Sequence, residues 1–260
     1  MVLYASFSGA LILRYWDIKS GSETQLRLER KTYLISTIIG YALVFQLLSL
    51  FLFIYTADSI HPFFTGAMCA VGSLHVNGWG FPLVILKIIT FLLAGLWLII
   101  NFADNRGYDY PLIKPKYLLL LVIMPLILIE TIIQAKYFLG LNPEVITSCC
   151  GSLFSADTRG VASEIISLPR SVMGVAFYVA MIGTLALGAV FYRTGTMGYR
   201  FSVATFLTLL ISIAAFISFI SIYFYELPTH HCPFCILQKE YGYIGYFLYL
   251  LLLAGGLAGM

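Results

Sequence analysis

The chain has 260 residues, 60% of them hydrophobic and only 10% charged, with a formal net charge of +3. So few polar groups cannot cover a water-soluble globule, and a mean hydropathy of +0.93 with apolar runs of roughly 20 residues marks an all-α, polytopic membrane protein. The charges are sorted by loop and form no patch that could follow a phosphate backbone, which argues against nucleic acid and leaves membrane lipid as the surrounding partner.

Residues 1–31 form an N-terminal segment on the cytoplasmic or interfacial side. Val2–Trp16 is apolar but, at about 15 residues, short for a span, and it lacks a basic leader and a small-residue cleavage site. It reads as an interfacial or partly inserted helix. Residues 32–260 form one six-helix membrane domain. The expected spans are Tyr33–Tyr55, Phe81–Phe102, Tyr117–Leu139, Ser171–Tyr192, Phe201–Tyr225 and a last one entering soon after Pro233. The connections are too polar or too rich in Gly and Pro to continue a lipid-facing helix, as in Asn105 to Pro111 and Arg193 to Thr196. Tyr and Trp recur at the edges, as interfacial anchors do.

Orientation follows from the basic residues. Arg14, Lys19, Arg27, Arg30 and Lys31 precede the first span, Arg106, Lys114 and Lys116 follow the second, and Arg193 and Arg200 follow the fourth. These segments face the cytoplasm, which places loops 57–80, 140–170 and 226–243 outside. All five cysteines (Cys69, Cys149, Cys150, Cys232, Cys235) and all four histidines (His61, His75, His230, His231) fall in those three loops. The predicted location is the cytoplasmic membrane, with a redox or metal face on the extracytoplasmic side.

The sharpest motif is His230-His231-Cys232-Pro233-Phe234-Cys235-Ile236-Leu237-Gln238-Lys239. A proline one residue after Cys232 suits a first helical position, which predicts Cys232 at the N-cap and Cys235 in the first turn of the last span. There the unpaired backbone N–H groups, the helix dipole and a protonated His230 or His231 favour a thiolate, the species that drives thiol–disulfide exchange. A structural disulfide or a metal clip is the alternative, and a fixed bridge between cysteines three apart on a helical turn is strained.

Cys-x-x-Cys-x-x-Gln followed by a basic residue resembles the DsbB-type disulfide-generating membrane proteins. Cys-Pro-x-Cys on the last helix of a small bundle is similar to bacterial vitamin K epoxide reductase homologues. Both families hold a quinone beside the cysteine pair and move electrons from extracytoplasmic thiols to it. The resemblance implies that Cys235 faces the quinone, that Cys232 exchanges with a second pair, and that Lys239 stands for the basic residue of the DsbB-type proteins. It covers about ten residues. Those families usually have four core helices, and their second cysteine pair tends to lie within one loop.

Cys149 and Cys150 lie in a loop of about thirty residues, far longer than a bundle connection needs, and long loops usually carry function. Adjacent cysteines rarely bond to each other, so one of them is expected to cycle with Cys232 while the other pairs with Cys69; Cys69, flanked by Ala67-Met68 and Ala70-Val71, also reads as a packed small residue. A metal reading joins His230, His231, Cys232 and Cys235 to His61, Cys69 and His75, a soft donor set suited to copper or zinc. Within the membrane, Lys87 and Glu130 are expensive charges near the outer leaflet, with Gln46 and Gln134 at similar depth. Lys87 and Glu130 are expected to face each other, and with Gln46, Gln238 and Lys239 they are candidates for holding a quinone or relaying protons.

The leading expectation is a membrane thiol–disulfide oxidoreductase linking an extracytoplasmic thiol–disulfide protein to quinone. Cys232 and Cys235 form its redox pair, and Cys149 or Cys150 the exchange partner. The alternatives are a metal-delivery protein for copper or zinc, and a structural subunit packed against others in a respiratory complex.

Overall fold

The structure, a computed structural model, describes residues 2–17, 20, 22–107, 110–147, 169–226 and 231–260. All regular elements among them are helical. They are α1 (Val2–Tyr15), α2 (Glu23–Ser59), α3 (Ala70–His75), α4 (Gly80–Asp104), α5 (Ile113–Leu139), α6 (Arg170–Thr194), α7 (Gly198–Ala215), α8 (Ser221–Tyr225) and α9 (Ile244–Gly259). A π-helical turn, Phe216–Ile220, joins α7 to α8, so that Gly198–Tyr225 runs as one span.

Among the described residues, five helices are long and apolar enough to cross a membrane: Glu23–Phe63, Gly80–Asp104, Ile113–Leu139, Arg170–Thr194 and Gly198–Tyr225. They contain the first five spans read from the sequence. The sixth, α9, has only 16 residues, about 24 Å of helix, and starts at Ile244 rather than soon after Pro233. The chain between is turned by short 3₁₀ segments at Cys235–Leu237 and Lys239–Tyr241, and Gly242 and Tyr243 both take left-handed backbone conformations that a helix cannot continue through. The helix start expected at Pro233 is therefore displaced by about eleven residues.

By contacts the chain groups into two compact units. One comprises Met1–Phe53 and Asn77–Leu141; the other comprises Ile54–Val76 and Asn142–Met260.

In the first unit, α1 packs on α5, and α4 packs on α5. Val2–Tyr15 is thus a helix of 14 residues whose Ile12, with Trp16 just beyond it, enters the core instead of standing alone. Ile35, Ile39 and Leu43 repeat every four residues along α2 and present one buried stripe to Trp97 of α4 and to Tyr117, Leu120 and Ile123 of α5. The outward faces stay apolar and exposed, with Phe45 of α2 at 71% and Ile85 of α4 at 60%, as lipid rather than water requires. Two charged pairs are buried in this unit. Lys116 Nζ lies 2.6 Å from Asp104 Oδ2, and Lys87 Nζ lies 2.7 Å from Glu130 Oε1. Lys116, which the charge pattern counts as a cytoplasmic loop residue, is fully enclosed, its carbonyl accepting from Trp97 Nε1 at 3.1 Å.

In the second unit, α7 packs on both α6 and α9. Small residues set these approaches. The Thr184 and Thr208 hydroxyls meet at 2.7 Å, and a Cβ added at Gly259 would come within 2.5 Å of Thr205 Oγ1. Only Met173 of α6 is buried, so nearly the whole helix presents an apolar surface outward.

Candidate functional site

Three cysteines converge in the second unit. Cys69, Cys232 and Cys235 are buried, and their Sγ atoms all lie within 4.8 Å of one another. Cys69 Sγ is 3.9 Å from Cys232 Sγ, a hydrogen-bonding distance and nearly twice the ~2.05 Å of a disulfide.

Local structure delivers each sulfur. Cys69 is the N-cap of α3, and Asp58 holds that helix start by accepting the Ala70 N–H at 3.0 Å. Just before it, Gly66 sits at φ +85° against the chain at Thr147; a Cβ there would fall 2.2 Å from the Thr147 carbonyl oxygen. Thr147 N–H donates to the Thr65 carbonyl at 2.9 Å, closing the contact.

The Cys-x-x-Cys turn is clamped from two helices. Tyr225, at the end of α8, donates its hydroxyl hydrogen to the Cys232 carbonyl at 2.5 Å and accepts the Ile236 N–H at 2.8 Å. Tyr249 of α9 donates to the Pro233 carbonyl at 2.7 Å. At the entry of α9, a Cβ on Gly245 would meet both the Ile236 carbonyl oxygen and its Cγ2 at 2.8 Å, so glycine is what lets that helix close against the cysteine turn. Gln238 joins the two halves of the site. Its side-chain N–H donates to the Met68 carbonyl at 2.7 Å, and the same side chain hydrogen-bonds Asp58.

The three sulfurs are electrostatically unequal. The Cys232 thiol is held well below its ordinary range because Cys235, and then Cys69, donate S–H hydrogen bonds to it; the Phe234 and Cys235 backbone N–H groups add to this against the opposing effect of burial. Cys235 moves the other way, kept protonated by the bond it donates to Cys232. These bonds favour Cys232 over Cys235 as the site of a thiolate.

The sequence-derived candidates separate into groups. Cys232 and Cys235 are in the cluster, and Cys69 joins them. Cys149, Cys150 and His230 lie outside the described residues. Among the described histidines none is part of the sulfur group. The Nδ1 atom of His61 is engaged by the Asp58 backbone carbonyl, His231 Nδ1 donates to the Ile217 carbonyl at 3.2 Å, and His75 is exposed at the end of α3. Gln238 is part of the site, whereas Lys239 is exposed. Placing Cys235 on the first turn of the last span, as the proline suggested, is corrected: it opens a 3₁₀ turn whose preceding residue, Phe234, is its cap.

Gln46, Lys87 and Glu130 form a separate cluster in the first unit, and Lys87 and Glu130 face each other as expected. Glu130 Oε1 accepts from Lys87 Nζ at 2.7 Å and Gln46 Nε2 at 2.8 Å; Oε2 accepts from Thr90 Oγ1 at 2.6 Å and Gln46 Nε2 at 2.7 Å. Lys87 also donates to Ser49 Oγ at 2.8 Å and stands over the Phe53 ring.

Sequence reasoning did not single out Asp58, Tyr225 or Tyr249. Both tyrosines read as interfacial or packing aromatics, and only the folded Cys-x-x-Cys turn reveals that their hydroxyls hold its carbonyls. Comparison with known proteins gives no matching family model, no matching curated protein and no matching solved structure, so the functional reading rests on this geometry.

Proposed function

We propose that the chain is an integral membrane thiol–disulfide oxidoreductase in which Cys69, Cys232 and Cys235 pass two electrons between an extracytoplasmic protein dithiol and a membrane quinone. The observation that carries this reading is the 3.9 Å approach of Cys69 Sγ to Cys232 Sγ, with Cys235 Sγ inside the same 4.8 Å group. Exchange requires a thiolate aligned with a neighbouring sulfur, and a sulfur–sulfur bond here needs a closing movement of only about 2 Å.

In the oxidised state of this scheme Cys232 and Cys235 share the disulfide. The Cys69 thiolate attacks Cys232 Sγ; the Cys69–Cys232 bond forms, the Cys232–Cys235 bond breaks, and Cys235 leaves as a thiolate. The thiolate of the outer cysteine then attacks Cys69 Sγ and frees Cys232, and quinone re-oxidises the Cys232 and Cys235 thiols to their disulfide, taking both electrons and both protons. Over a full turnover a substrate dithiol loses two electrons and two protons to become a disulfide, and quinone gains both to become quinol. A cavity of about 570 Å³ in the second unit, lined by Arg170, Ile222, Tyr223, Phe224 and Glu226, offers a place for that acceptor.

Cys149 or Cys150 takes the outer role in this scheme, receiving electrons from the soluble partner and handing them to Cys69. Gln46, Lys87 and Glu130 are not required for the exchange itself, because their polar atoms are already used on one another. The test is turnover of purified protein with a reduced model dithiol and a short-chain quinone. Single replacement of Cys69, Cys232 or Cys235 by serine is expected to abolish it. Wild-type turnover in Cys235→Ser would sink the proposal.

A further inference from the structure

The same three sulfurs carry a second chemistry. For a metal–sulfur bond of about 2.3 Å, as in zinc thiolates, three sulfurs in a plane around one ion stand about 4.0 Å apart. The observed Cys69–Cys232 separation is 3.9 Å, and the third sulfur completes a group within 4.8 Å. Cys69, Cys232 and Cys235 are 0%, 1% and 6% exposed, which leaves little access for a water ligand. Among the described residues no fourth His, Cys, Asp or Glu joins them.

We propose that the reduced Cys69–Cys232–Cys235 cluster is a trigonal binding site for Cu(I), and that the ion and the disulfide are alternative occupants of it. Three soft donors, with no fourth among the described residues, suit a cuprous ion; zinc sites are almost always four-coordinate. Two backbone N–H groups, those of Phe234 and Cys235, already point at the Cys232 sulfur and would offset the negative charge of a copper–thiolate centre. Binding involves no redox change: each sulfur forms a Cu–S bond, those still protonated release their protons to water, and copper remains Cu(I). A disulfide between any two of the cysteines removes two ligands at once. The ion-binding site stands on the sulfur geometry alone, and its exclusion by the disulfide rests on the redox reading.

The experiment uses the full chain in detergent, reduced and without oxygen, titrated with Cu(I) against a chromophoric cuprous chelator and then examined by X-ray absorption at the copper edge. One ion per chain with three sulfur neighbours and no nitrogen is the expected result. The ion should be lost in Cys69→Ser, Cys232→Ser and Cys235→Ser, with helix content by circular dichroism showing that these variants fold. It should be retained in the Cys149→Ser/Cys150→Ser double variant and in His230→Ala, and refused by wild-type protein oxidised beforehand. If a folded Cys69→Ser protein keeps the ion, if a nitrogen or a fourth sulfur appears in its shell, or if zinc displaces copper at equal concentration, the proposal is overturned. Exchange activity is measured separately without copper. Three-sulfur copper binding with no exchange would leave this site standing and remove the redox reading, and the opposite pattern would do the reverse.

Discussion

Cys69 Sγ and Cys232 Sγ lie 3.9 Å apart although 163 residues separate them in the chain. Neither belongs to a spanning helix. Cys69 is positioned by Asp58 through the start of α3, and Cys232 by Tyr225 from the end of α8. Gln238 then bonds to Met68, directly beside Cys69, so the two segments are held in register by polar contacts rather than by a covalent link.

In the proposed exchange, replacing Cys235 by serine removes the thiol that pairs with Cys232 in the resting disulfide. The Cys69–Cys232 bridge should then accumulate on oxidation because the thiol that competes with Cys69 for Cys232 is gone. Peptide mapping under non-reducing conditions should find those two peptides joined in the variant and only transiently joined in the wild type.

Tyr225→Phe removes one hydroxyl that serves two backbone groups, Cys232 C=O and Ile236 N–H. Leaving buried backbone groups without a partner costs about 1–3 kcal/mol each, so thermal stability should fall measurably. If the hydroxyl also sets the direction of the Cys232 sulfur, exchange should slow roughly tenfold, the equivalent of about 1.4 kcal/mol in the barrier. The separating readout is the exchange rate of the folded fraction, which a purely global loss of stability would not change.

Gly245→Ala introduces a Cβ that the Ile236 carbonyl and side chain would meet at 2.8 Å. Backbone on one side of the contact cannot give way as a flexible side chain can. Overpacking of this kind costs about 1–3 kcal/mol. The expected outcome is a lower melting temperature together with greater alkylation of Cys235, as the 3₁₀ turn that carries it is pushed aside.

Lys87→Met leaves the Glu130 carboxylate buried without its cation, which costs about 3–5 kcal/mol when one partner of an enclosed pair is removed. A Lys87→Met/Glu130→Leu double variant should recover much of that loss. A double-mutant cycle in detergent unfolding checks this. Glu130→Gln should leave turnover per folded molecule unchanged. A deficit in turnover larger than the loss of folded protein would instead give Glu130 a part in proton or quinone handling.

The parts that were legible in the sequence are those set by long-range averages. Five apolar runs of spanning length reappear as five helices, because hydropathy over about twenty residues does not depend on which neighbour each helix meets. The Lys87–Glu130 pairing was legible for a related reason: two opposite charges at one depth in an apolar medium have few other partners. The cysteine turn was not. Pro233 is compatible with a first helical turn, and no local rule reveals that Gly242 and Tyr243 adopt left-handed conformations and delay the helix to Ile244. Cys69 was read both as a packing residue and as a pairing one, since its partner is supplied by a segment 163 residues away. Tyr225 and Tyr249 carry no sequence signal that separates them from other aromatics of this chain.

The most direct test of the exchange reading is differential thiol alkylation with mass spectrometry on wild-type protein equilibrated at a series of dithiol and quinone ratios. Cys69, Cys232 and Cys235 should change alkylation state together over one range of ratios, with a Cys69–Cys232 disulfide detectable at its midpoint. A Cys69 that stays fully reduced at every ratio, while Cys232 and Cys235 are also unmoved or pair elsewhere, would contradict it.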